Sequence, residues 1–135
     1  MKKAFFFAIL IIAVLSACKK SETTVTSATL IQNLWQIQSI STLSHRQGQE
    51  DQISNTPVSA IDYFDFRTPF KLYTSLNNGQ KKDTATIAFI SDNQFSINGV
   101  TLANITTLTY SSFIFKTNTT TNSTDYQQVT YNLKR

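Results

Sequence analysis

From Leu34 onward, apolar and polar residues alternate in short runs, and no stretch keeps an apolar stripe at helical spacing for three turns. Leu34 to Leu43 is the first strand candidate, with Trp35, Ile37 and Leu43 on one face. The polar stretch His45 to Pro57 reads as a loop. In Ala60 to Phe66, Phe64 and Phe66 share a face with Asp62, opposite Tyr63 and Asp65. Phe70 to Leu76 sets Phe70, Leu72, Thr74 and Leu76 against Lys71, Tyr73 and Ser75, and Pro69 suits a strand start. Asn77 to Asp83 is a turn, and Thr84 to Ile90 follows as a strand. Gln94 to Ile97 and Val100 to Leu102 flank Asn98-Gly99, a pair that supplies the two positive φ values of a tight hairpin. Ile105 to Tyr110, Ser112 to Lys116 and Tyr126 to Leu133 complete the set, with the polar run Thr117 to Thr124 as a loop.

About eight short strands joined by tight turns predict an all-β fold, a small antiparallel up-and-down β-barrel or sandwich. A barrel is preferred because closure removes exposed sheet edges. One short helical turn is expected over Ser27 to Asn33, with Ser27 as its N-cap.

The residues before this pattern are of another kind. Lys2 and Lys3 precede an unbroken apolar run from Ala4 to Leu15, followed by Ser16, Ala17 and Cys18. These are the parts of a signal peptide, and the run is shorter than the roughly 20 residues of a membrane span. Leu15-Ser16-Ala17-Cys18 resembles a bacterial lipobox, which implies cleavage before Cys18 and lipid on its sulfur. Residues 1–17 are then a signal peptide, 18–27 the lipidated cysteine with a polar tether, and 28–135 one barrel domain. The roughly 118 residues after the leader suit one domain. The resemblance implies two or three acyl chains, and at about 0.8 kcal/mol per buried CH₂ these make a lasting anchor. Lys19 and Lys20 would lie beside the lipid headgroups, where they read as solvated side chains rather than as a second anchor, because the acyl chains dominate attachment.

Composition narrows the chemistry. Cys18 is the only cysteine, so a lipidated chain keeps no thiol for a disulfide, a nucleophile or a metal. The formal charge of +4 falls to about +2 without Lys2 and Lys3, so basicity does not point to nucleic acid. His45 is the only histidine and lies in a polar stretch with Arg46, Glu50 and Asp51, where it reads as a solvated side chain rather than a catalytic base. No zinc spacing or phosphate loop is present; Gly48, Gly79 and Gly99 are isolated. Asp62 reads as a strand-end residue in water. The alternative is an inward charge that orients a ligand and is partnered by Arg67 or a tyrosine hydroxyl. No catalytic residue, metal or cofactor is expected, and no enzyme.

Leu30-X-X-Asn33-Leu34-Trp35-X-Ile37 resembles the L-x-x-G-x-W-x-L opening of the lipocalin-like lipoproteins of Bacteroidota. The order that follows resembles them too: aromatic Tyr63 to Phe66, the turn Asn77 to Asp83, the Thr-rich strand Asp83 to Ile90, the hairpin Gln94 to Leu102, and Tyr131-Asn132-Leu133. The similarity is one of pattern and covers Leu30 to Arg135. It implies a lipocalin-like barrel, with Trp35 across the closed end beside a basic partner, Lys134 or Arg135. Asn33 stands where that family has glycine, and asparagine tolerates left-handed φ best among the other residues. Asp83-Thr84-Ala85 resembles a short O-glycosylation motif of exported Bacteroidota proteins, a three-residue pattern of low specificity.

Two functional readings follow. In one, an interior lined by Ile37, Phe64, Phe66, Leu72, Ile87, Phe89, Phe113 and Phe115 holds a small apolar ligand. In the other, the core is solid and an envelope protein is bound by the surface, with Tyr63, Tyr73, Tyr110 and Tyr126 as contacts. A cavity near or above about 300 Å³ separates the first from the second. Either way the protein is expected to be exported and held to the cell envelope, in the outer membrane, by the lipid on Cys18.

Overall fold

The computed structural model describes residues 26–122 and 124–135, so the leader, Cys18, Lys19 and Lys20 lie outside the described residues. A short helix α1 (Ser27–Ile31) leads into nine strands: β1 (Leu34–His45), β2 (Gln52–Thr56), β3 (Tyr63–Asp65), β4 (Lys71–Leu76), β5 (Lys81–Ser91), β6 (Gln94–Ile97), β7 (Thr101–Leu108), β8 (Ser112–Thr120) and β9 (Tyr126–Lys134). All pairings are antiparallel. β1, β3, β4, β5, β6, β7, β8 and β9 pair in that order, and β1 pairs with β9 to close the ring. The fold is an eight-stranded up-and-down barrel of the lipocalin-like kind, with β2 as one extra strand.

β1 makes the extra strand possible. It is twelve residues long and meets β3 only along Leu34–Gln36. Its second half, Ile40–Ser44, pairs on that same edge with β2. A wall of β2, β1, β9 and β8 therefore stands above the short β3–β4 side. β2 lies inside the stretch expected to be a loop. All five of its residues are exposed, so neither face carries the apolar alternation that marks a strand.

Other departures have similar causes. β8 runs on through Thr117–Thr120 of the expected polar loop because β9 offers a partner up to Tyr126. Val100–Leu102 and Ile105–Tyr110 are not separate strands: β7 spans Thr101–Leu108 with a bulge between Ile105 and Thr107. A second bulge, between Ile37 and Ser39, resets the alternation of β1. Ile40 thereby takes the buried face with Trp35 and Ile37, and Leu43 falls on the opposite one.

Phe70 is not on the inner face of β4. It sits at the third position of the turn Thr68–Lys71, with φ +60°, and is 71% exposed. Pro69 at the second position and positive φ at the third are the pattern of a type II turn. Asn33 is absent from the left-handed residues, which are Phe70, Asn77, Asn78 and Asn98 besides three glycines. Its role is instead a backbone one, since its carbonyl accepts the Phe66 N–H at 2.9 Å. Asn98 and Gly99 have φ +53° and +68°, the hairpin conformation their sequence predicts. The N-cap of α1 is Thr26 rather than Ser27, and it makes no side-chain hydrogen bond to the helix backbone.

Candidate functional site

The barrel has two ends of different character. Because strands alternate in direction, α1, the turns 66–70, 92–93 and 109–111, and Lys134-Arg135 gather at one end. The turns 77–80, 98–100 and 121–125 and the excursion around β2 gather at the other.

The first end is closed. Trp35 is fully buried there, and its indole N–H donates to the Ile31 carbonyl at 2.9 Å, which ties α1 across the barrel floor. Arg135 lies over the indole, its guanidinium carbon 5.6 Å from the ring centroid. Of the two basic residues expected beside this tryptophan, Arg135 is the one in place. Trp35 in turn packs on Phe113 at 5.4 Å.

Aromatic rings continue upward from that floor. Phe66 meets Phe113 at 5.8 Å and Phe95 at 6.2 Å, mostly edge to face. Phe113 and Phe115 stand 5.1 Å apart, and Phe115 stacks on Tyr131 at 4.7 Å. Phe64 closes the group at 5.4 Å from Tyr131. Such pairs add about 0.5–1.5 kcal/mol each beyond the area they bury. Phe95, Ile40, Ala103 and Leu133 are core members that the sequence reading left out. Of its eight interior residues, Ile37, Phe64, Phe66, Leu72, Ile87, Phe113 and Phe115 are buried, and Phe89 is half-buried against the same cluster.

The rings fill the lower barrel and leave two recesses under the open end. One, of about 300 Å³, lies between Ile40, Val58 and Leu76. The second, on the other side of Leu76, holds about 200 Å³ and is lined mainly by Phe64, Leu72, Leu76, Ile97, Phe115 and Tyr131, with Thr74, Asp83 and Asn98 among its polar members. Burial pushes the Tyr131 phenol up from its ordinary pKa, against a smaller downward pull from Thr117, so it remains a neutral hydroxyl.

Asp62 is neither in water nor paired with Arg67. It is 1% exposed and lies just before β3. Its carboxylate accepts the Ser59 N–H at 2.9 Å and the Asn78 N–H at 3.0 Å, which pins the return from β2 to the β4–β5 turn. Arg67 instead grips Asp65 with two hydrogen bonds, of 2.9 and 2.7 Å. That hydrogen bonding holds the Asp65 carboxyl below its usual range.

At the open end, His45 is better held than a loop residue. It ends β1, its Nδ1 lies 2.7 Å from Asp51 Oδ1, and its ring stacks on Tyr126 at 4.9 Å. A groove of about 280 Å³ runs beside it, past Arg46, Thr121 and Asp125. The groove is half open, with Tyr126 as its one large ring besides the imidazole, and no nucleophile is held against the imidazole by a hydrogen bond among the described residues. Among those residues no three His, Cys, Asp or Glu side chains gather as metal ligands. Of the four tyrosines proposed as surface contacts, Tyr110 is exposed, whereas Tyr63, Tyr73 and Tyr126 are half-buried. Thr84 is exposed on β5.

No family model, no curated protein and no solved structure matches this chain.

Proposed function

We propose that this chain is a lipid-anchored, non-catalytic envelope protein built on a filled lipocalin-like barrel, which works through its surface rather than through an enclosed ligand. The observation that carries this reading is the packed aromatic column from Trp35 to Tyr131, which fills the lower barrel and leaves two recesses toward the open end, of about 200 and about 300 Å³, the larger one only at the lower limit for a ligand site. Ligand sites for drug-sized molecules occupy about 300–1,000 Å³. The anchor rests on the order of Lys2, the apolar run and Cys18 in the sequence. A second reading has one specific support. The smaller recess is apolar with Tyr131, Thr74 and Asn98 at hand, which suits a compact amphipathic molecule.

Native mass spectrometry of the protein extracted from membranes tests both parts. Acyl mass that survives denaturation and maps to Cys18 supports the anchor; its absence removes it. A small molecule that leaves on denaturation would replace the filled-barrel reading with the second one. If the filled barrel holds, Tyr131→Ala should open the smaller recess and create binding of a small apolar dye that the native protein does not bind.

A further inference from the structure

We infer that the closed end of the barrel docks on the membrane surface, so that the open end and its β2 wall face away from the lipid. The inference rests on the anchor reading above and adds an orientation to it. The first argument is where the chain enters. Thr26 begins the described structure at the closed end, eight residues after Cys18. Eight residues span at most about 29 Å, so a lipidated Cys18 would keep that end near the headgroups.

The second argument is what this end displays. Phe70 and Tyr110, 71% and 66% exposed, are the most exposed aromatic side chains among the described residues, and both sit on closed-end turns. Leu34 and Ile90 add exposed apolar surface at the same level. The other exposed apolar side chains are aliphatic and stand toward the open end: Ile53, Val100, Leu102 and Ile61, the last beside Gly79, so the two ends differ in their aromatic rather than their total apolar display. Aromatic side chains concentrate at membrane–water interfaces, where one part of the ring is buried and its edge stays wet.

Charge follows the same division. On the closed end Arg67, Lys71, Lys134 and Arg135 face only Asp65 and Asp92 among the described residues. On the open end Arg46, Lys81 and Lys82 are outnumbered by Glu50, Asp51, Asp83 and Asp125. An anionic leaflet attracts the first surface and not the second.

Phe70 supplies the third argument. Its position in the turn requires positive φ, which glycine or asparagine adopts without difficulty and a bulky side chain does not. The phenyl ring gains no burial in return. A strained backbone that presents an apolar ring to solvent marks a site where something outside the fold receives the ring.

The test uses the full chain, lipidated and reconstituted in vesicles of phosphatidylethanolamine with a minority of phosphatidylglycerol. Cys18 is the only cysteine, so one new thiol can be labelled selectively. Tyr110→Cys and Val100→Cys variants each carry a fluorophore. Docking predicts that a nitroxide-bearing lipid quenches the label at 110 several-fold more than the label at 100, while aqueous iodide does the reverse. Replacing Phe70 and Arg67 with Ala in the labelled protein should narrow the difference. Equal access of iodide to both labels, in protein that stays on the vesicles, overturns the orientation and leaves the anchor standing. Shielding from iodide at 110 without quenching by the lipid nitroxide places a protein surface there and also overturns it. Protein that leaves the vesicles on washing overturns the anchor instead.

Discussion

Asp62 Oδ1 accepts the backbone N–H of Asn78 at 3.0 Å, while Oδ2 of the same carboxylate accepts that of Ser59 at 2.9 Å. One buried acid thus joins two loops that are distant in sequence. Removing it leaves two amides without partners. Asp62→Ala should destabilise the protein by about 2–4 kcal/mol, since hydrogen bonds to charged groups contribute about 1.5–3 kcal/mol each. Asp62→Asn should cost less than Asp62→Ala, because one oxygen remains to accept. Urea midpoints of the three proteins check the order.

The aromatic column makes core and rim substitutions differ sharply. Phe95→Ala should cost about 3–5 kcal/mol, because Phe95 is fully buried against Phe66, Phe89, Phe113 and Phe115. Val100→Ala, at an 85% exposed turn, should change stability by less than about 0.5 kcal/mol. The same denaturation series reads both.

Arg135 over Trp35 should be worth about 1 kcal/mol as a cation–π contact. Arg135→Lys keeps the charge but not the planar stack, so it should recover only part of the loss seen in Arg135→Ala. Trp35 is the only tryptophan, so its fluorescence follows this contact directly during thermal unfolding.

Phe70 gives a prediction of opposite sign. Left-handed φ costs an ordinary residue about 1–2 kcal/mol, and glycine avoids that cost. Phe70→Gly should therefore raise stability, by about 0.5–1 kcal/mol after the extra chain entropy of glycine. The same change should weaken contact with vesicles. A variant that is both more stable and less docked separates the role of the ring from the needs of the fold.

Acid should release the open-end loops before it unfolds the barrel. The Gln47 N–H donates to Asp125 at 3.0 Å, and this bond, helped by Asn122 and Thr124, holds the Asp125 carboxyl below its usual range. A depressed pKa in the folded state means that the tie is fully present above the unfolded value, about pH 4. It is lost as the pH falls through the lower folded value. Chemical-shift titration of the Gln47 amide should show a transition below about pH 4, absent in Asp125→Asn.

The sequence disclosed what depends on local chemistry. Asn98-Gly99 announced its hairpin because both positions need positive φ, and Leu72, Ile87, Phe113 and Phe115 showed their burial by simple alternation. It concealed what depends on partners elsewhere. β2 has water on both faces, so Gln52–Thr56 carries no apolar period, and only the long reach of β1 makes it a strand. The bulge after Ile37 reversed the phase of β1, which moved Leu43 and admitted Ile40. Asp62 looked like a solvent-facing residue because its partners are backbone amides, which no sequence pattern names. Phe70 continued the alternation of β4 so well that Pro69, a residue suited to the second position of a turn, was read as a strand start instead.

The seam between β1 and β9 has a consequence for how the molecule is made. It joins Gln36–His45 to Tyr126–Lys134, so the ring has no complete hydrogen bonding until its last strand arrives. Pairings between such distant segments form slowly, because the intervening chain must be ordered first. Under the anchor reading, which requires the chain to be threaded N-terminus first through a membrane, it could not close early. It would stay loose enough to be threaded, and would lock only after Lys134 emerged.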